Sequence, residues 1–493
     1  MKWDQTTPPG GTVRDWLAFR AQGAGDQISH IFTDGDAALT WGALWAEARQ
    51  GAAHLTALGV GKGESVAIML PNGRDAVVSL FAVLVGGFRA TVINLAAGAE
   101  AVGYALSHSE ARFAIVGAAQ RGLFEDAGRL HPNTIKLAAI DTGADVPLHD
   151  LEPVDHALLM YTSGTTGRPK GVVHSHASLL AGGWTPALAH ALGPEDRAMC
   201  VLPICHINGL CVTVIAPLIS GGSVVMAPKF SARQFWAACG THDVTWFSVV
   251  PTIISHLLHG DQDPAEATRK RIRFGRSASA PLAPEVQAPF EARFGVPIVE
   301  TMGLTETAAQ ILSNPLPPGL RKIGSPGRAY GNEARILEGG EIAVRGPNVM
   351  LEYLRNPEAT AASFTEDGWL RTGDLGRMDE DGYVFVTGRL KELIIKGGEN
   401  IAPREIDEAL YSHADVVEAA AFSRPCASYG ERVEAAVTLV EGSKVGAEAL
   451  IAICREKLGD YKCPDRVFIL DELPKGPSGK IQRLRLGEMT SAS

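Results

Sequence analysis

Tyr161-Thr-Ser-Gly-Thr-Thr-Gly-Arg-Pro-Lys-Gly171 is the stretch that decides how this chain is read. It follows an apolar run, Ala157-Leu-Leu-Met160, and so reads as a loop leaving a strand. Ser163, Thr165 and Thr166 offer hydroxyl groups. Gly164 and Gly167 let backbone N–H groups come close to a phosphate, and Lys170 adds a mobile positive charge. The spacing is not GxxxxGK[ST], so a Walker-type P-loop is disfavoured.

Outward from this loop, strand-like apolar runs alternate with helical patterns. Ser65–Leu70, Phe113–Val116, Ser223–Met226 and Thr245–Val250 read as short strands, and Ala76–Gly86 and Ala232–Gly240 as helices. Val77–Ala90 is apolar but too short for a membrane span, and it contains Gly and Arg, so a buried helix is expected there. The alternation predicts α/β layers with largely buried strands. Glu341–Arg345 and Tyr383–Val386, flanked by Gly and Asp, predict a more antiparallel, β-rich region. Past Arg389 the pattern changes: helices at Glu405–Tyr411 and Ala447–Leu458, strands at Val416–Phe422, Val433–Val440 and Arg466–Leu470. The expected fold is α/β. A large N-terminal domain of α/β layers with a β-rich subdomain spans residues 1–388, and a small α+β C-terminal domain spans 389–493, with the boundary at Gly388–Lys391.

At 493 residues, two or more domains are the expectation. The net charge of -10, with no Lys/Arg run, argues against nucleic acid as a partner. No apolar run is long enough to insert in a membrane, and MKWDQTTPPGG lacks the apolar core of a secretory signal. Seven cysteines with no CxxC pair fit neither a disulfide framework nor a zinc site, so reduced thiols in a cytoplasmic protein are expected. Oligomeric state is not legible.

The string at 161–171 resembles the signature loop of the adenylate-forming superfamily: acyl-CoA synthetases, peptide-synthetase adenylation domains and beetle luciferases. Further motifs follow in that family's order as far as Lys480. The resemblance implies that Thr162, Ser163, Gly164, Thr165, Thr166, Gly167 and Lys170 hold ATP phosphates, with Thr165 also catalytic. In Met302-Gly-Leu-Thr-Glu306 it gives Thr305 and Glu306 to phosphate and Mg2+. A carboxylate suits that hard cation. Met302 stands where the family carries an adenine-stacking aromatic residue, and Gly303 lies beside both nucleotide and substrate. Ala278, Ser279 and Ala280, within Ser277-Ala-Ser-Ala-Pro281, line the adenine pocket by the same resemblance. Asp374, in Trp369-Leu-Arg-Thr-Gly-Asp374, resembles the ribose-binding Asp, and Arg389 the Arg that also reaches the nucleotide. Lys480, in Pro474-Lys-Gly-Pro-Ser-Gly-Lys480, resembles the Lys that meets the substrate carboxylate and the α-phosphate.

The implied reaction has two steps. A carboxylate attacks the α-phosphate of ATP and pyrophosphate leaves. A thiol then attacks the acyl-adenylate and AMP leaves. The family serves both steps by rotating a mobile C-terminal domain about a hinge, which Lys391 matches. In the second pose the loop with Gly397 and Gly398 replaces Lys480 and lines a pantetheine tunnel.

Leu202-Pro-Ile-Cys-His-Ile-Asn-Gly-Leu210 lacks the Asp that peptide-synthetase domains use for an amino acid's ammonium, so amino acids are not expected. His206 matches a residue beside the acyl pocket of acyl-CoA synthetases and is assigned there, catalytic and substrate-binding. Thirteen residues follow Lys480, and no carrier domain is expected, which makes CoA the simplest thiol. The expected partners are therefore ATP, CoA and a small carboxylic acid. Arg276-Ser-Ala-Ser-Ala-Pro-Leu-Ala-Pro284 with Ser313-Asn-Pro-Leu-Pro317 looks nearest to oxalate-CoA ligases and, more loosely, malonate-CoA ligases. Arg273 and Arg276 would pair with a distal acid group. Ala308 and Ala309 stand where the oxalate enzymes carry a His. A short, polar or dicarboxylic acid is the expected substrate, and an aryl or medium-chain fatty acid the alternative. A nucleotide-binding relative without catalysis is the alternative of another class, against which the intact Lys170, Glu306, Asp374 and Lys480 argue.

Overall fold

The computed structural model describes residues 4, 6–131, 135–138, 146–162, 169–476 and 480–490. Among them, two large sheets form the N-terminal part. One has nine strands. Its centre is parallel, in the order Ile298–Leu304, Phe274–Ser277, Trp246–Val249, Arg197–Cys200, Ser223–Met226, Ile28–Phe32. The other has seven strands, including the parallel run His156–Thr162, Arg89–Val92, Ser65–Met69, Phe113–Val116. These central strands are apolar almost throughout, as strands covered on both faces must be. The helices between the layers are buried on nearly every side. Arg74–Gly86 is one of them, and it ends at Gly87 in the left-handed conformation with φ +80°. His176–Ala189 is another, started by Ser175, whose hydroxyl accepts from Ser178 N–H. The buried helix expected over Val77–Ala90 therefore stops four residues short, at Gly86: Gly87 turns the chain and Arg89 and Ala90 begin the strand Arg89–Val92.

A four-stranded antiparallel sheet (Glu333–Ile336, Glu341–Arg345, Leu370–Met378, Val384–Arg389) forms the β-rich part. Beyond it, Val416–Cys426 and Gly430–Leu439 pair as a long hairpin in the C-terminal sheet, with the helices Pro403–Tyr411 and Ala447–Lys462. The α/β class, with a large N-terminal and a small C-terminal part, is as the sequence predicts. All seven cysteines are free thiols. Among the described residues no helix is long and apolar enough to cross a membrane.

The two parts meet through a few directed contacts. Arg404 donates to Val386 O at 2.6 Å and to Gly324 O at 3.2 Å. The buried Glu418 lies 3.4 Å from His256 Nε2 and 2.9 Å from Lys475 Nζ. Lys475 starts the short bridge to Ile481 that carries Lys480. Glu418 thus joins the N-terminal part to the base of the Lys480 loop.

Glu300, in the middle of Ile298–Leu304, is buried beneath this junction. One of its oxygens accepts from Leu282 N–H at 3.1 Å; the other has no partner among the described residues. Burial pushes its carboxyl up to about 7, with Arg404 working the other way. An acid whose folded value lies above its unfolded value of about 4.3 keeps its proton only in the native state. Stability from this group is therefore complete below about pH 4 and falls as pH rises toward 7. Glu300→Gln is expected to gain about 3 kcal/mol over the parent at pH 8 and little at pH 4. Thermal unfolding at the two pH values checks this, and equal shifts at both would sink it.

Candidate active site

The strand His156–Thr162 runs antiparallel into Lys170–Ser175, with Thr162 opposite Lys170 and Tyr161 opposite Gly171. The hydroxyl-rich string thus follows one of two neighbouring antiparallel strands of the seven-stranded sheet and leads into the other. Ser163, Gly164, Thr165, Thr166 and Gly167 lie outside the described residues. At its far end Lys170 is placed with care. Its ammonium sits 4.4 Å from the ring centroid of Tyr353, a cation–π contact. The Tyr353 hydroxyl donates to Glu306 Oε1 at 2.7 Å. One buried ring therefore touches the loop lysine on its face and the acidic motif at its tip.

Glu306 stands on a tight turn, Thr305–Thr307, that follows Ile298–Leu304. The turn is held from several sides. His174 Nε2–H donates to Thr305 O at 2.7 Å, and Asn348 Nδ2 donates to Thr307 O at 2.7 Å. Burial drives His174 down to about 4, so it serves as a neutral donor. Ala308 and Ala309 adopt left-handed φ values of +43° and +88°, which residues with a Cβ rarely do. Gly303 is obligatory here, since a Cβ would collide with the Ala309 carbonyl. Strain of this kind persists where the surroundings over-determine it, and it clusters at functional sites. Ala308 is fully buried against Gly182, which leaves no room for an imidazole at that place. Met302 packs into the apolar cluster with Val172, Ile311 and Leu312, and little of it is left open.

Asp374 lies opposite Arg389 across two antiparallel strands, with Arg389 Nε 3.2 Å from Asp374 Oδ1. The turn before it is fixed by Glu341, whose carboxylate accepts from Gly373 N–H at 3.0 Å and from Arg371 Nε at 2.9 Å. Burial raises the Asp374 carboxyl, Arg389 and Lys480 lower it, and Glu392 and Glu306 raise it again. Burial lowers the Lys480 ammonium, Arg389 lowers it further, and Glu392 and Asp374 oppose them. The charges of Glu306, Arg389 and Lys480 thus all bear on Asp374, and through Tyr353 Glu306 is tied to Lys170.

A second cluster surrounds Arg276, which is 1% exposed. Its Nη1 donates to Asn208 Oδ1 at 2.7 Å and to Ser248 Oγ at 3.1 Å, and its Nε donates to Gln310 Oε1 at 3.3 Å. No carboxylate pairs with it among the described residues. Burial alone pushes the guanidinium down to about 9. Asn208 begins the π-helix Asn208–Ile215, a winding often found at functional sites. It also donates to Ser279 Oγ at 3.3 Å. Ser279 has φ +75°, and Ala278 before it is buried. Ala280 follows in the same turn. Gln310 lies opposite Gly303. Segments 202–210, 277–281 and 302–310 therefore meet at this arginine. His206 is mostly buried; burial brings its imidazole down to about 4, and its Nε2 has no partner among the described residues.

Arg273 corrects the sequence reading. It sits at the N-terminal end of the parallel strands, pairs with Asp196 Oδ1 at 2.5 Å and donates to His190 O at 3.2 Å. An odd spacing along an extended chain puts it on the face opposite Arg276. Its charge is already compensated, and it does not join the Arg276 cluster. Lys391 lies exposed in the turn after Val384–Arg389. Gly397 and Gly398, with φ +57° and +88°, form the exposed turn of the hairpin Ile394–Lys396/Glu399–Ile401. Tyr353, Gln310 and Glu341 sit in no string with a chemistry of its own, and Asn208, though within the string 202–210, carries no sequence signal that sets it apart from its neighbours.

One carboxylate oxygen of Glu306 accepts from Tyr353, and the other has no hydrogen-bond partner among the described residues. Such a site suits a cation that takes the rest of its shell from phosphate oxygens and water, as Mg2+ does.

Comparison with known proteins extends this description. A model of the family described as AMP-binding enzyme matches residues 17–354, and one described as AMP-binding enzyme C-terminal domain matches residues 405–480. The sulfoacetate–CoA ligase of Cupriavidus necator is 46% identical over 96% of this chain and 97% of its own length. The oxalate–CoA ligase of Arabidopsis thaliana is 37% identical over 86% of this chain and 88% of its own. ATP-bound MatB from Rhodopseudomonas palustris is 30% identical and superposes with a TM-score of 0.88, covering 98% of this chain and 99% of that one. The apo form of the same protein, with the same coverage, gives 0.75 at 29% identity. The arrangement seen here is thus nearer to the nucleotide-bound form of that protein.

Proposed function

We propose, for a chain that belongs to the AMP-binding enzyme family, that the acid it activates is short and carries a second anionic group. The chain is an AMP-forming carboxylic acid:CoA ligase, with ATP and CoA as co-substrates. The identity of the acid rests on one observation: Arg276 is a fully buried cation that no carboxylate among the described residues compensates. A buried charge is tolerated when a partner arrives to pair with it. A sulfonate or carboxylate at the far end of a short acid is such a partner. The names of the sulfoacetate and oxalate ligases support the same class. An aryl or medium-chain fatty acid would bring apolar bulk to a place lined by an arginine and two amides.

In this reading Lys170 and the loop before it hold the phosphates, Asp374 and Arg389 the ribose side of the nucleotide, and Ser279 and its neighbours the adenine. Glu306 would hold Mg2+, which when bound offsets phosphate charge. Tyr353 orients that carboxylate. Lys480 lies against the reacting carboxylate and α-phosphate, where negative charge is rearranged as pyrophosphate leaves. His206 lines the acyl pocket as a neutral imidazole. For the second step the part from 389 onward turns about Lys391 as a domain separate from 1–388. The Gly397–Gly398 turn then comes in for the thiol arm, where the lack of side chains lets it pass close to backbone. Free buried thiols fit a cytoplasmic enzyme.

Pyrophosphate release over a panel of acids tests the substrate. Sulfoacetate, oxalate and malonate are expected to exceed acetate, propionate, benzoate and octanoate by about 100-fold in kcat/KM, the span of a good buried charge pair. Benzoate or octanoate as the preferred acid would overturn the reading.

A further inference from the structure

The groups around Arg276 are all neutral. Asn208 and Gln310 present amide oxygens to its Nη1 and Nε, and Ser248 a hydroxyl. Asn208 is 7% exposed, and Ser248 and Gln310 are fully buried. His190, whose charge Arg276 opposes, is fully buried and kept uncharged first by burial and then by Arg276 itself. An isolated buried guanidinium is ordinarily met by Asp or Glu, whose shapes match Asn and Gln atom for atom. Here the amide form stands at both places. We propose that Asn208 and Gln310 determine specificity by holding Arg276 in place without neutralising it, so that its charge stays available to the acid's second anionic group. This rests on the reading of Arg276 given above, and it adds two positioning residues to it.

The geometry makes the substitution clean. Asn208 Oδ1 takes the 2.7 Å bond from Arg276 and a 3.2 Å bond from Ser248, while its Nδ2 donates to Ser279 Oγ. Aspartate at 208 keeps the first two bonds, and the Ser279 hydroxyl can turn to donate to the new oxygen. Only the net charge at the guanidinium changes.

Asn208→Asp, and independently Gln310→Glu in case one variant fails to fold, would be assayed with sulfoacetate, oxalate, acetate and propionate. Each variant is expected to lower kcat/KM for the dianionic acids about 100-fold, carried mostly by KM for the acid. KM for ATP should stay within about threefold, and the ratio of dianionic to monoanionic acids should collapse toward one. Asn208→Ala, which removes the acceptor but adds no charge, should keep that ratio above one. A folded Asp or Glu variant that retains the parental ratio within about threefold would overturn the inference while leaving the role of Arg276 intact. A parent enzyme with no preference for dianionic acids would overturn the substrate reading itself, and this inference with it.

Discussion

Replacing Lys480 with Ala is expected to slow acyl-adenylate formation about 10³-fold while changing thioester formation from supplied acyl-adenylate by less than about threefold. The ammonium lies among Arg389, Asp374 and Glu392, close to the carboxylate expected to meet the ribose. In the proposed reading it meets a carboxylate and an α-phosphate, both anionic, as they are brought together. Removing a preorganised charge at such a place costs what the loss of an oxyanion-stabilising donor costs, about 3–4 kcal/mol in the transition state. The second step has no use for it if the C-terminal part has turned away. Pyrophosphate release in a single turnover reads the first step, and CoA consumption from synthetic acyl-adenylate reads the second. Parallel loss of both would mean that Lys480 supports the fold around Asp374 rather than the chemistry. The contacts of the junction make that outcome unexpected. Glu418 with His256 and Lys475, and Arg404 with two backbone carbonyls, hold the two parts together without Lys480.

Much of the fold was legible because its strands are short, apolar and bounded by turn residues. Phe113–Val116, Ser223–Met226 and Glu341–Arg345 fall at the expected positions. The reading ran too far at Val77–Ala90, where a buried helix passes after one glycine turn into a buried strand. Both are apolar on every side, so periodicity has nothing to report. The same uniformity hid the π-helix at Asn208–Ile215. At the site, sequence can point only to residues within recognisable strings, and residues that contact them from other strands leave no such signal. Tyr353 joins Lys170 to Glu306 only because the strand Glu352–Tyr353 pairs with Lys170–Ser175. Gln310 reaches Arg276 only because its strand folds back on the one carrying Gly303. The sequence pairing of Arg273 with Arg276 erred for the converse reason: proximity along an extended chain is not proximity of side chains.

Arg276→Met is expected to lower kcat/KM about 10³-fold for sulfoacetate or oxalate and less than about fivefold for acetate or propionate. Taking one member from a buried, hydrogen-bonded charge pair costs about 2–5 kcal/mol, much of it from stranding the other charge. The stranded charge here would belong to the substrate, so the loss appears only with acids that bring one. Methionine has nearly the length of the arginine stem and no charge, which keeps the packing while removing the receptor. Folding should survive the change. Ser248 Oγ loses the bond it accepts from Arg276 but continues to donate to Asn208 Oδ1 at 3.2 Å, so both oxygens keep a partner, and Gln310 Oε1 alone is left without its arginine bond or that substitute. Against that loss stands relief from holding an unpaired guanidinium out of water, a cost the free enzyme bears until its acid arrives. The melting temperature of the ligand-free variant is therefore expected to match or exceed that of the parent, whereas stabilisation of the parent by sulfoacetate should vanish in the variant. An arginine that merely bolted strands together would do the opposite: the variant would melt early and lose every acid alike.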